Sequence, residues 1–212
     1  MITCLEEEPG WIEGPFRLEA RLAQKTGPWA MVVTHPHPLF GGSMDNNVVQ
    51  ALVQAGAQAG LTTLRFNFRG TGRSQGAHDQ GLGERDDLLA ALDFVTELGS
   101  KRLVVAAYSF GAWVAARTDY GSRPVEDQIW VAPPLGVMPL DPAEVLYKPG
   151  LILAGGRDVF CPPADLEALV ESLGEGVRVN GLERADHFFG GQEARLSQAA
   201  ALHLAEIVHG GR

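Results

Sequence analysis

The chain has 212 residues and a formal charge of -9, with 45% hydrophobic and 20% charged residues. That balance predicts a single globular domain, residues 1–212, with enough apolar material for a full core. The acidic surplus argues against nucleic acid or an anionic membrane as partner, and no apolar run approaches the roughly 18 residues of a membrane span. The opening stretch, Met1 to Gly10, carries Glu6, Glu7 and Glu8 where a secretory signal would be basic and then apolar. Two cysteines, Cys4 and Cys161, are too few for a disulfide framework, which predicts a reduced, cytoplasmic protein.

Phe16, Leu18, Ala20 and Leu22 alternate with Arg17, Glu19 and Arg21, the pattern of a half-buried strand near an edge. Gly27-Pro28 turns the chain into a second strand, Ala30 to Thr34, apolar throughout and therefore interior. It runs into His35-Pro36-His37-Pro38-Leu39-Phe40-Gly41-Gly42, whose prolines forbid both helix and ladder. Asp45 or Asn46 caps a helix with Val48, Val49, Leu52 and Val53 on one side, stopped by Gly60.

Leu61 to Phe68 reads as a strand closed by Arg69-Gly70-Thr71-Gly72-Arg73-Ser74. A helix follows from Glu84 to Leu98, with Asp86 and Asp87 in an acidic first turn. Beyond the strand and helix around Ser109, Gln128 to Ala132 and Gly150 to Ala154 are further strands. A helix from Pro162-Pro163 to Leu173, a strand from Val177 to Leu182 and a helix from Gln192 to Val208 complete the chain. Strands alternating with helices predict a mostly parallel sheet covered on both faces, whose ligands bind beyond the carboxyl ends of the strands. His35, Arg69, Ser109, Asp158 and His187 all fall just after strands, so they converge on one rim.

Leu103 to Ala106 is a buried strand, and the alanine-rich segment from Phe110 starts a helix, leaving Ser109 at the apex of the turn between them. A nucleophile held on so sharp a turn needs small neighbours two positions away, here Ala107 and Gly111. These five residues also fit a serine that simply closes a core strand. The rest of the chain favours the functional reading, because Ser109, Asp158 and His187 follow one another in the order nucleophile, acid, base.

With these residues in place, the chain from Phe16 onward resembles the α/β hydrolases. The segments His35 to Asn46 and Arg65 to Ser74 are similar to those of compact, lidless bacterial serine hydrolases related to dienelactone hydrolases. The resemblance implies Ser109 as nucleophile, His187 as general base and Asp158 as its orienting acid. Asp127, Asp141 and Asp165 are less suitably placed acids, and His203 and His209 are expected at the surface. His78 lies in a loop that could border the pocket.

The backbone N–H of Phe110 is one expected oxyanion donor; His37 is the best second one, with Leu39 and Phe40 as alternatives. His35 and His37 are too sparse a pair for zinc, so no metal and no cofactor is expected. Arg69 and Arg73 are read as structural, with contact to a substrate acid group left open. Cys161 is read as a bystander.

The segment from Pro133 to Lys148 is too short for a helical lid, which predicts an open pocket. Phe40, Tyr108, Phe160, Phe188 and Phe189 flank the expected catalytic positions and could wall an apolar acyl site. The expected reaction is hydrolysis of a small carboxylic ester or thioester by a monomer or homodimer. Alternatives are a dienelactone-type lactone hydrolase, a small peptidase or a non-catalytic binding protein.

Overall fold

The computed structural model describes residues 6–210. Cys4 and part of the opening stretch discussed above lie outside the described residues.

At one edge β1 (Glu8–Ile12) pairs antiparallel with β2 (Leu18–Ala23), and the fourth strand of the chain, Thr62–Phe66, is antiparallel to β2. All further pairings are parallel. They join β3 (Trp29–Thr34), β4 (Thr62–Phe66), β5 (Arg102–Tyr108), β6 (Val125–Val131), β7 (Leu151–Gly155) and β8 (Arg178–Leu182). The result is one eight-stranded sheet in the order β1-β2-β4-β3-β5-β6-β7-β8, the mostly parallel architecture read from the sequence.

Both faces of this sheet are covered, and the side-chain alternation of the central strands follows from that. Ala30 and Val32 of β3 point with Val105 and Ala107 of β5 toward one apolar cluster. That cluster is shared with α2 (Gly83–Glu97), α3 (Phe110–Ala116) and α4 (Pro163–Leu173). Met31, Val33, Val104 and Ala106 point the opposite way, against α1 (Asn47–Gln58) and α5 (Glu193–His209). The segment from Pro133 to Lys148 contains a single 3-10 turn, Pro142–Glu144, and no helix long enough to close over the sheet.

Several sequence expectations are corrected here. β1 carries no strand pattern in the sequence, because Pro9 and Gly10 interrupt it; both are tolerated on an edge strand. The strand expected to reach Phe68 stops at Phe66, since the N–H of Asn67 turns to the carbonyl of Glu19 and that of Phe68 to His35 Nε2. Asp87, expected in the acidic first turn of α2, lies just beyond that turn. It is fully buried and holds Arg69 through a 2.8 Å ion pair, with the Arg69 N–H donating to the same carboxylate at 2.9 Å.

His203 is not at the surface either. It lies on the inward stripe of α5 with Leu196, Ala200 and Leu204, where its Nε2 is 2.8 Å from Asp127 Oδ2 and its Nδ1 meets Arg178. Asp127 is thereby bound into a structural cluster at the amino-terminal ends of the strands, with the Gly150 N–H donating to it at 2.8 Å.

Candidate active site

Ser109 ends β5 and begins α3 with φ 54° and ψ -117°, a conformation that side chains other than glycine rarely adopt. Such strain costs on the order of 1–3 kcal/mol and persists only where the surroundings enforce it. Here the Ser109 N–H donates to the Val131 carbonyl at 2.8 Å, and the Ser109 carbonyl accepts from Ala112 at 2.9 Å and Trp113 at 3.1 Å. The turn also brings α3 onto the end of β3. A Cβ at Gly111 would lie 2.2 Å from Thr34 Oγ1 and 2.9 Å from the His35 carbonyl, so only glycine fits. Ala107, two residues before the serine, needs no such economy, because its methyl packs into the apolar cluster.

Three side chains distant in sequence meet at this turn. Ser109 Oγ lies 2.9 Å from His187 Nε2, and His187 Nδ1 lies 2.8 Å from Asp158 Oδ2. The Asp158 side chain is fully buried, and its other oxygen accepts the N–H groups of Phe160 at 2.8 Å and Cys161 at 3.0 Å. Both carboxylate oxygens are therefore satisfied within the protein, which fixes Asp158 as an acceptor for the imidazole N–H. The loop of His187 is tied down separately. Tyr108 donates its hydroxyl to the His187 carbonyl at 2.9 Å, and Asn47 donates to the Phe188 carbonyl at 3.0 Å.

The loop after β3 is set by the two segments that carried the sequence resemblance. His35 is fully buried; its Nε2 accepts the Phe68 N–H at 3.0 Å, so Nδ1 carries the proton and donates to the Pro36 carbonyl at 2.6 Å. Burial pushes its pKa down to about 4. Asn67 accepts the Met44 N–H at 2.8 Å, and Arg65 donates to the Met44 carbonyl at 2.8 Å and to Asp45 at 2.7 Å. Arg65 also pairs with Glu7 at 2.8 Å. These partners lie 20 to 58 residues apart, and short-range sequence patterns carry no signal for them.

In this loop the Leu39 N–H donates to His37 Nδ1 at 3.2 Å and the Phe40 N–H to the His37 carbonyl at 3.1 Å. Both are thus already engaged. Among the described residues, the main-chain N–H groups of His37 and Phe110 have no acceptor. With the nitrogens of His35 committed to Pro36 and Phe68, and His37 Nδ1 to Leu39, the two histidines do not form a metal-binding pair. Burial, and then the neighbouring His78, lowers the pKa of His37, with Glu84 opposing.

A cavity of about 690 Å³ opens beside Ser109 and His187. Phe40, Tyr108, Phe160 and Phe188 all line it, together with Val137 and Met138; among the described residues, no Asp, Glu, Lys or Arg does. Phe189, also read as a wall residue, is instead fully buried against α1 and α5. Arg69 is held by Asp87, and Arg73 lies over the ring of Trp11, so neither reaches the cavity. Cys161 is buried with its thiol pushed up to about 12, a poor nucleophile beside Ser109.

A serine on a strained strand-to-helix turn, at the carboxyl edge of an eight-stranded mostly parallel sheet, defines an α/β-hydrolase fold. Residues 31–208 match the model of the alpha/beta hydrolase family, and the chain belongs to that family.

An uncharacterised protein of Rickettsia prowazekii is 33% identical over 213 residues, covering 93% of this chain and 88% of its own. Among solved structures, an alpha-beta serine hydrolase homologue from Coxiella burnetii is 35% identical with a TM-score of 0.85, covering 93% of this chain and 97% of its own. A serine hydrolase without lid from Xanthomonas campestris is 30% identical with a TM-score of 0.84, covering 97% and 96%.

Proposed function

We propose that the protein hydrolyses small carboxylic esters or thioesters with an uncharged, apolar acyl group through an acyl-Ser109 intermediate. The observation that carries this reading is the hydrogen-bonded chain from Ser109 through His187 to Asp158, opening on a cavity walled by apolar and aromatic side chains. The Coxiella and Xanthomonas structures, both described as serine hydrolases or homologues of them, support it.

In this mechanism His187 Nε2 takes the Ser109 proton as Oγ attacks the substrate carbonyl. Asp158 holds the imidazole ring and stabilises the imidazolium. The N–H groups of Phe110 and His37 donate hydrogen bonds to the carbonyl oxygen as negative charge forms on it. His187 then passes its proton to the departing alkoxide or thiolate. Water, deprotonated by the same imidazole, releases the acid and restores Ser109.

The test is a panel of p-nitrophenyl esters, acyl thioesters and lactones assayed with the wild-type protein and with Ser109→Ala. Esters or thioesters should be turned over, and Ser109→Ala should lower kcat on the order of 10⁶-fold. Turnover retained by Ser109→Ala would overturn the assignment. A clear preference for lactones would redirect it to dienelactone-type hydrolysis.

A further inference from the structure

Glu84 is fully buried at the start of α2, yet it carries a carboxylate that the proposed chemistry does not use. Its oxygens accept the main-chain N–H groups of Asp79 at 2.9 Å and Gly81 at 2.8 Å. His78 Nδ1 stands 2.8 Å from Oε1, at ion-pair distance without the alignment of a good hydrogen bond. One carboxylate thus gathers the turn from His78 to Gly81.

The His78 ring, 12% exposed, is held against two other rings. Its centroid is 4.9 Å from that of His37 and 5.5 Å from that of Phe110. The His37 and Phe110 rings are themselves 4.8 Å apart. His37 and Phe110 both line the cavity, and their main-chain N–H groups, like that of His187, lack acceptors. They come from different segments, the loop after β3 and the first turn of α3, and His78 lies in a third that touches both.

We propose that Glu84 and His78 are positioning residues for the oxyanion site: the Glu84 carboxylate fixes the turn, and the His78 ring holds the side chains of His37 and Phe110 so that their N–H groups converge. The inference rests on the oxyanion roles proposed for His37 and Phe110. Neither Glu84 nor His78 touches substrate; both act through the geometry of the two donors. A donor displaced by as little as about 1 Å can lower the rate about 100-fold, so a backing residue has leverage over catalysis.

The test uses His78→Ala, His78→Phe and Glu84→Gln, assayed for kcat and KM on a p-nitrophenyl ester and for inhibition by a trifluoromethyl ketone. The ketone forms a tetrahedral adduct with Ser109 whose oxyanion needs the same donors, whereas KM reports ground-state binding. His78→Ala should lower kcat about tenfold or more, leave KM within about twofold, and weaken the ketone by the same factor as kcat. His78→Phe, which keeps a ring against His37 and Phe110, should stay within about threefold of wild type. Glu84→Gln keeps an acceptor for the turn and should fall between them.

A folded His78→Ala with wild-type kcat, or with lowered kcat and undiminished ketone affinity, would overturn the proposal. So would a His78→Phe as damaged as His78→Ala. Either failure, alongside an inactive Ser109→Ala, would leave the hydrolase assignment standing; an active Ser109→Ala would remove that assignment instead.

Discussion

The imidazole of His35 accepts the main-chain N–H of Phe68 at 3.0 Å, and this bond joins the two loops that leave β3 and β4. It explains why a histidine stands fully buried at the carboxyl edge of the sheet without touching the cavity. It also requires His35 to be neutral, because a protonated ring has no lone pair to offer Phe68.

This requirement has a pH signature. An unfolded histidine takes up a proton near pH 6.5, whereas burial lowers the folded value to about 4. The stabilising contribution is therefore complete above pH 6.5 and is lost as pH falls toward 4, amounting to about 3 kcal/mol at the acid end. Urea unfolding between pH 7 and 4 should show that loss in the wild-type protein and not in His35→Gln. Equal slopes for the two would contradict it.

Asp158→Asn should keep the fold and the position of His187. An amide N–H facing His187 Nδ1 would favour the tautomer with its proton on Nε2, the nitrogen that must receive the Ser109 proton. Ester hydrolysis should fall about 10⁴-fold in kcat, with little change in KM. Steady-state kinetics beside a circular-dichroism spectrum check both halves of this statement.

Gly111→Ala should damage stability and activity together. The added methyl would meet both the Thr34 hydroxyl and the His35 carbonyl, the latter being main chain that cannot rotate away. We expect a loss of about 1–3 kcal/mol in urea unfolding and a lower kcat, because the shift moves the loop of His37 relative to Ser109. Wild-type stability in this variant would show that the turn is looser than described.

The lining of the cavity predicts acyl selectivity. Phe40, Val137 and Phe188 are 86%, 60% and 59% exposed, so the mouth is an apolar rim that an acyl chain could cover. Each added methylene contributes about 0.8 kcal/mol on burial, or roughly a fourfold gain in kcat/KM. The p-nitrophenyl series from acetate to octanoate should rise accordingly until the chain clears the rim. Val137→Asp should depress octanoate and spare acetate; a flat series would contradict the assigned substrate class.

The sheet and the position of the site were legible from the chain because both depend on local signals. Apolar runs such as Ala30 to Thr34 mark interior strands, and the residues just after them mark the carboxyl edge. Ser109, Asp158 and His187 each follow a strand, which places them together on one rim. What escaped depends on partners far away in sequence. Glu84 looks like an ordinary first-turn acid, and only the folded chain turns it toward His78. Arg65 and Asn67 likewise acquire their purpose from Met44. His203 likewise lies on the inward side of α5 with Leu196 and Ala200, and its reason for being there is Asp127, 76 residues away.

The most direct test of the central claim is mass spectrometry of the protein after exposure to a fluorophosphonate, followed by peptide mapping. Activation of Ser109 by His187 predicts one adduct per chain, located on Ser109 and absent from Ser109→Ala. Ester hydrolysis that continues with Ser109 unmodified, or an adduct carried by a different residue, would contradict it.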